Sequence, residues 1–378
     1  PFPPLSDPTR AETLQDLPAQ TSRQARALPA AAPPCEGPFI MLTFCSPAQN
    51  AHAPLVELVN GQAEAHAETP ARLANMLAAM GPMCAPADHG IEAILAVHDA
   101  DYVAFLQSAH AAWLAAGREG DAIGYAFPVR GRRPLALERI DGRLGQYSFD
   151  TVTPIAAGTW EAAYGAAQSA LGALEAVASG ETRQAFALCR PPGHHAGADY
   201  FGGYCYLNNA AIVARAAAAR GMGPVAVLDV DYHHGNGTQD IFYADGSVFF
   251  ASIHADPRTD FPYFWGHAEE RGTDEGEGAN LNLPLPRGTG WATYQDALDK
   301  ALDAVARFGA KTLIVSYGAD TFAEDPIAQF ALTTDDMHRM GARIGALGLP
   351  TVTVMEGGYN VAALGRNVAA FIAGLESA

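Results

Sequence analysis

Short apolar runs alternate with long Ala-rich stretches along most of this chain. The runs Ala185–Leu188, Val225–Val230, Val248–Ile253, Thr312–Ser316 and Thr351–Met355 are too short for helices and are bounded by small or polar residues. They predict buried strands. Between and beyond them, Thr159–Ala178, Asn208–Arg220, Trp291–Phe308, Thr334–Leu347 and Val361–Leu375 carry apolar side chains at helical spacing. Their Ala-Ala-Ala runs are good helix formers and need no special function. Strand and helix alternating in this way predict an α/β fold, a mainly parallel sheet covered on both faces. The pattern is absent at two places. Residues 1–38 are rich in Pro and Ala without a period and read as an N-terminal arm, with the folded body, 39–378, starting near Phe39–Phe44. Gly117–Gly158 has only weak periodicity around FPVRGRRPL and reads as an insertion or a surface excursion.

Composition narrows the function classes. A chain of 378 residues with 49% hydrophobic content can bury a large core in one domain. Its formal charge of −18 argues against nucleic-acid binding, which needs clustered Lys and Arg, and mildly favours cationic partners. The sequence contains neither a membrane-length apolar stretch nor a secretory signal pattern. Five cysteines, Cys35, Cys45, Cys84, Cys189 and Cys205, are odd in number and unpaired in spacing. That suits a reducing cytoplasm, with no structural disulfide expected.

The polar residues at the strand ends carry the chemistry. DVDYHHGNG, Asp229 to Gly237, follows the apolar run Val225–Leu228. In extended backbone alternate side chains share a side, so Asp229, Asp231 and His233 converge at the end of a strand. Two carboxylates and an imidazole in a buried setting suit a divalent cation; a loop with polar caps is the plainer alternative. RPPGHHAG with His194 and His195, FGGYCYLNN from Phe201, SYGADTF with Asp320, and MEGGYN with Glu356, Tyr359 and Asn360 add further polar sets. Most follow an apolar run, the position where open α/β sheets gather ligand-binding groups. Adjacent imidazoles suit proton transfer, and a Tyr hydroxyl can donate to a developing oxyanion where Phe cannot.

In these segments the chain resembles the zinc-dependent histone deacetylase and acetylpolyamine amidohydrolase family of the arginase-deacetylase superfamily. It is most similar to the bacterial acetylpolyamine amidohydrolases and the class II deacetylase-like enzymes. Asn236 stands where class I enzymes usually have Asp, and Glu356 precedes Gly357, Gly358 and Tyr359 as in the class II and polyamine types. The resemblance covers residues 39–376 and implies a single-domain, three-layer fold with about eight strands. It implies Zn²⁺, with Fe²⁺ or Co²⁺ as alternatives, on Asp231, His233 and Asp320. It implies that Asp229 orients His194 and Asn236 orients His195, His195 acting as base and then acid. Tyr359 becomes the oxyanion donor, and Gly203, Tyr204 and Phe261 line the acyl-amine tunnel. A structural K⁺ is implied at Asp229, Asp231 and Ser252 with the backbone near His233 and Ile253. The insertion at 117–158 is implied to narrow the entrance and to build a homodimer, with Asp141 as its acidic residue; a second acidic position is replaced near Val152. The expected activity is removal of acetyl groups from acetylpolyamines or similar small cationic acylamines. Deacetylation of acetyl-lysine in peptides or proteins, and a catalytically silent acyl-ligand binder, stand as alternatives.

Overall fold

The computed structural model describes residues 41–81, 83–129 and 136–378, so the N-terminal arm, Cys35 and all of RGRRPL lie outside the described residues. The described residues fall in the unit Pro34–Ala378. Its strands are β1 Leu42–Phe44, β2 Val56–Val59, β3 Gln62–Ala65, β4 Gln184–Ala187, β5 Val225–Asp229, β6 Val248–Ala255, β7 Asn280–Leu285, β8 Thr312–Tyr317 and β9 Thr351–Met355. Its helices are α1 Pro70–Met80, α2 Glu92–Leu95, α3 Ala100–Ala115, α4 Ile140–Tyr147, α5 Thr159–Ala178, α6 Asn209–Ala219, α7 Asn236–Phe242, α8 Trp291–Phe308, α9 Thr334–Gly345 and α10 Val361–Glu376.

All strands but β2 and β3 form a seven-stranded parallel sheet in the order β1-β4-β9-β8-β5-β6-β7. Alternate side chains supply two cores. Leu228, Val315 and Met355 pack with α1, α8, α9 and α10 on one face. Val227, Ile314 and Val354 pack with α3, α4, α5 and α6 on the other. This is the three-layer α/β fold expected, with seven rather than about eight strands among the described residues. β7, NLNLPL, escaped the apolar-run pattern because it is the sheet edge, where Asn and Pro284 are tolerated.

β2 and β3 pair antiparallel through Asn60 and Gly61, both at positive φ, which is the two-residue turn that Asn-Gly favours. The hairpin is docked by Leu58, whose N–H donates to Thr151 O at 3.1 Å and whose carbonyl accepts from the Thr151 hydroxyl at 2.7 Å. Cys84 is disulfide-bonded, which corrects the expectation of no disulfide; Cys45, Cys189 and Cys205 are free. Spacing along a sequence does not register which distant thiols meet in space. Among the described residues no helix is long and apolar enough to cross a membrane.

Candidate metal centre and active site

The loops leaving the carboxyl ends of β4, β5, β8 and β9 meet over the middle of the sheet. Asp231, His233 and Asp320 bring one ligand atom each to within 4.8 Å of one another. His233 Nδ1 stands 3.3 Å from Asp231 Oδ1 and 3.2 Å from Asp320 Oδ2. Backbone amides fix the carboxylates: His233 N–H donates to Asp231 Oδ1, Gly357 N–H to Asp231 Oδ2, and Tyr232 N–H to Asp320 Oδ1, at 2.8, 2.9 and 2.9 Å. A Cβ at Gly357 would lie 2.4 Å from Asp320 Oδ2, so only glycine lets the β9 loop come this close.

Burial pulls the basicity of His233 down, but the two carboxylates outweigh it and hold the ring at about 10. Burial and Asp231 together push Asp320 up to about 7. A two-carboxylate, one-imidazole set of this kind fits a divalent cation with positions left for water and substrate. His194, Cys205 and Glu356 also approach one another, with Glu356 Oε1 left without a hydrogen-bond partner. The Cys205 thiol, pushed well up by burial, donates to Gly203 O at 3.3 Å, and Glu356 Oε2 accepts the amides of Gly193 and His194 at 2.6 and 3.1 Å.

The two imidazoles beside the trio have ring centres 4.0 Å apart and unlike partners. His194 Nδ1 bonds Asp229 Oδ2 at 3.0 Å, and His195 Nδ1 bonds Asn236 Oδ1 at 2.6 Å. Burial lowers the first ring's basicity, yet Asp231 and Asp229 raise it to about 10. The second has only a neutral amide, and burial followed by the charges of His194 and His233 drives it well below the ordinary imidazole value. Because Asn236 presents its oxygen, the His195 proton belongs on Nδ1 and Nε2 keeps its lone pair.

Tyr359 is held by its amide, which donates to Asp325 Oδ2 at 2.7 Å, and by its ring, over the Arg72 guanidinium at 4.8 Å. Its ring, with His195, His233 and Ile327, lines a cavity of about 250 Å³. Gly203, Tyr204, Phe261 and Val152 form its sides, and Glu57, Val59 and Glu64 of the hairpin complete it. Phe261 sets its ring edge to face with His195 at 5.1 Å. Gly203 is required there, since a Cβ would fall 2.2 Å from His195 Cδ2. Tyr204 also takes positive φ, a cost its neighbours sustain: Asp150 accepts from Gly203 N–H at 2.6 Å and Thr153 from Tyr204 N–H at 2.9 Å.

Asp141 does not line this cavity. It sits in α4 with its two oxygens paired to Arg118 and Arg139. Asp150 likewise serves the Gly203 amide. Ser252 stands beside Asp229 in the β5–β6 register, next to Ile253, and its hydroxyl bonds His254 Nδ1 at 2.8 Å. His234 turns away from the trio to Asn282 at 3.2 Å, and His254 and His267 bond backbone carbonyls.

Residues 64–375 match the family model described as "Histone deacetylase domain". The chain belongs to the histone deacetylase domain family. It is 51% identical over 348 residues to "Acetylpolyamine amidohydrolase 1" of Pseudomonas aeruginosa, covering 89% of this chain and 99% of that one. Against "Acetylpolyamine amidohydrolase" of Mycoplana ramosa the identity is 48% over 324 residues, 84% and 95% of the two chains. The crystal structure of acetylpolyamine aminohydrolase from Burkholderia pseudomallei superposes with a TM-score of 0.85 at 44% identity, covering 89% and 99%. The family is one of metal-dependent hydrolases, and this chain is an enzyme of that class.

Residues outside the motifs also build this deacetylase-domain site. Arg72 Nε donates to Gly358 O and its Nη2 to Glu356 O, both at 2.7 Å, tying α1 to the loop that holds Tyr359. Glu68 joins Arg72 and Arg190 at 2.7 and 2.8 Å, all fully buried. A fully buried charged set is expensive unless paired, and such sets mark loops that must not move. The available signal was a Glu just before a helix and an Arg four residues later in its first turn, which is commonplace on surfaces. The hairpin was better announced, by Asn-Gly between two short alternating segments.

Proposed function

We propose that this chain is a Zn²⁺-dependent amidohydrolase that removes acetyl groups from acetylpolyamines or similar small cationic acylamines. One observation carries the reading. Two adjacent imidazoles with opposite partners, one carboxylate and one amide, stand beside a carboxylate-imidazole-carboxylate trio, and the trio's His233, His195 and Tyr359 share one cavity. Asp231, His233 and Asp320 would hold the Zn²⁺, which would supply a Lewis acid for the amide carbonyl and lower the pKa of a water. His195 Nε2 takes the proton of the attacking water, because its ring is neutral at rest, and returns it to the departing amine. His194, kept charged by Asp229 and Asp231, stabilises the negative charge that develops. The Tyr359 hydroxyl donates to the carbonyl oxygen as it becomes an oxyanion. Tyr204 and Phe261 clasp the aliphatic stem, and Gly203 leaves room for it.

The reading carries a K⁺ at Asp229, Asp231 and Ser252 with the backbone of His233 and Ile253. Since His254 Nε2 must donate to Gly266 O, its Nδ1 accepts from Ser252, whose oxygen lone pairs stay available to a cation. A homodimer is supported by Tyr125 and Val129 of the insertion, 74% and 69% exposed. Cytoplasmic placement rests on the free Cys45, Cys189 and Cys205, with Cys84 as the exception. The test is competition of the zinc-loaded enzyme between acetylputrescine, acetylspermidine and an acetyl-lysine peptide, read as kcat/KM. Preference for the peptide over both polyamines would replace this reading with the protein-deacetylase one.

A further inference from the structure

The partner of His195 is an amide, and an amide can sit two ways round. A carboxylate offers an oxygen whichever way it turns, but an amide has a flipped state of almost the same shape, with its NH₂ where its oxygen stood. Flipped, Asn236 would face His195 Nδ1 with a donor. The ring would then carry its proton on Nε2, the nitrogen that has to take one from water. His194 is spared this ambiguity, since its partner is the carboxylate of Asp229. At Asn236 the surroundings must select the productive orientation.

Two acceptors face its nitrogen. Asn236 Nδ2 donates to the His195 carbonyl at 3.4 Å and to the Tyr200 hydroxyl oxygen at 3.3 Å, so each of its hydrogens has a place. A hydroxyl can also donate, and by rotating it could serve a flipped amide equally well. Asp240 opposes that rotation. Its Oδ2 accepts the Tyr200 O–H at 2.7 Å, whereas the other acceptor in reach, the Asn236 carbonyl, is 3.5 Å away. Bonds to a carboxylate are also the stronger kind. The hydroxyl proton is thus committed to Asp240, and the oxygen turned toward Asn236 is an acceptor. The result is a one-directional chain in which His195 donates to Asn236, Asn236 to Tyr200 and Tyr200 to Asp240. Its far end is fixed twice. Asp240 stands one turn after Asn236 in α7, and its Oδ2 also accepts from Trp265 Nε1 at 3.2 Å. The Tyr200 ring packs edge to face on Phe149 at 5.6 Å.

We propose that Tyr200, its hydroxyl held by Asp240, is a positioning residue that fixes the Asn236 amide with its oxygen toward His195 and so keeps His195 Nε2 free to act as the base. The inference rests on the amidohydrolase reading above and deepens it. Neither Tyr200 nor Asp240 lines the cavity, so both act through Asn236 and not on the substrate. When the lock is lost, kcat falls by the fraction of His195 that has its proton on Nε2, while KM stays where the cavity walls set it.

Tyr200→Phe keeps the ring and removes the hydroxyl. It is made in the metal-loaded full chain and again in an Asn236→Asp parent, where turning the side chain over changes nothing. Both pairs are assayed for kcat and KM on an acetylated diamine, each at the plateau of its parent's pH profile. In the wild-type parent Tyr200→Phe is expected to lower kcat about threefold to tenfold, the fold-change carried by one net hydrogen bond, with KM unchanged. In the Asn236→Asp parent the same change is expected to cost less than about twofold, the mark of two residues acting as a unit. Asp240→Ala, which frees the hydroxyl to rotate, should follow the same pattern. Ring-nitrogen NMR of histidine-labelled protein reads the lock without turnover. The His195 signal, assigned by its loss in His195→Ala, should move from the Nδ1–H toward the Nε2–H tautomer in Tyr200→Phe, in proportion to the loss of kcat. Equal losses of kcat in the two parents, or an unchanged His195 tautomer, overturns the lock and leaves the amidohydrolase reading standing. A wild-type enzyme that hydrolyses no acetylated amine, yet whose His195 tautomer shifts in Tyr200→Phe, overturns the amidohydrolase reading and keeps the lock.

Discussion

Replacing Tyr359 by Phe removes one hydroxyl and little else. The backbone amide keeps its bond to Asp325, and the ring keeps Arg72 at 4.8 Å and Tyr204 at 5.5 Å, because none of these contacts uses the oxygen. Stability should therefore change by less than about 1 kcal/mol, the worth of a single net hydrogen bond. The rate should respond very differently. One oxyanion donor is typically worth about 10² to 10³ in kcat, about 2.7–4 kcal/mol of transition-state stabilisation. Substrate binding depends on the cavity walls and the hairpin, so KM should stay close to the wild-type value. The measurement is steady-state kcat and KM on an acetylated diamine, with metal content and Tm taken on the same preparation. A kcat within about threefold of wild type, at full metal content, would refute the oxyanion role. A large rise in KM with kcat unchanged would also refute it, because the hydroxyl would then be acting on ground-state binding.

Asp320→Ala removes one of the three donors and leaves the Tyr232 amide without its acceptor. It should empty the metal site, end turnover and cost about 1–3 kcal/mol of stability; elemental analysis showing full metal content with normal activity would sink the ligand assignment. Asn236→Asp puts a carboxylate against His195 Nδ1, where the amide oxygen now stands at 2.6 Å. A base must be neutral to work, so raising its pKa moves the acidic limb of the kcat/KM profile to higher pH, by about 1 to 3 units, from a wild-type limb below the ordinary imidazole range. An unmoved limb would clear His195 of the role.

Most of the sheet was legible because buried parallel strands are written as short apolar runs. β5, β6, β8 and β9 fall within a residue or two of the runs Val225–Val230, Val248–Ile253, Thr312–Ser316 and Thr351–Met355, and α5 and α8 match their predicted spans. The elements that escaped obey different rules. β7 is an edge strand and tolerates Asn and Pro; β2 and β3 are largely solvated, so neither needs an apolar run. α1, α2 and α3 precede the regular alternation, and no strand pattern flanks them to frame a βαβ unit.

The site divides along a similar line. Asp229, Asp231, His233, Asn236, His194, His195, Asp320 and Tyr359 lie in segments where one short stretch holds several functional groups together, so local sequence carries the geometry. Arg72, Glu68 and Arg190 act on the same loops across sequence separations of up to 286 residues, as in the Arg72 bond to Gly358, and one strand of text cannot report such contacts. Asp141 shows another thing that a motif omits. An acidic residue in an entrance loop is informative only if no arginine reaches it first, and Arg118 and Arg139 both do. Glu57 and Glu64, seven residues apart in the sequence, look unremarkable until an Asn-Gly turn folds them face to face. What a carboxylate can do is thus set by the partners that the fold brings within its reach, which the motif does not record.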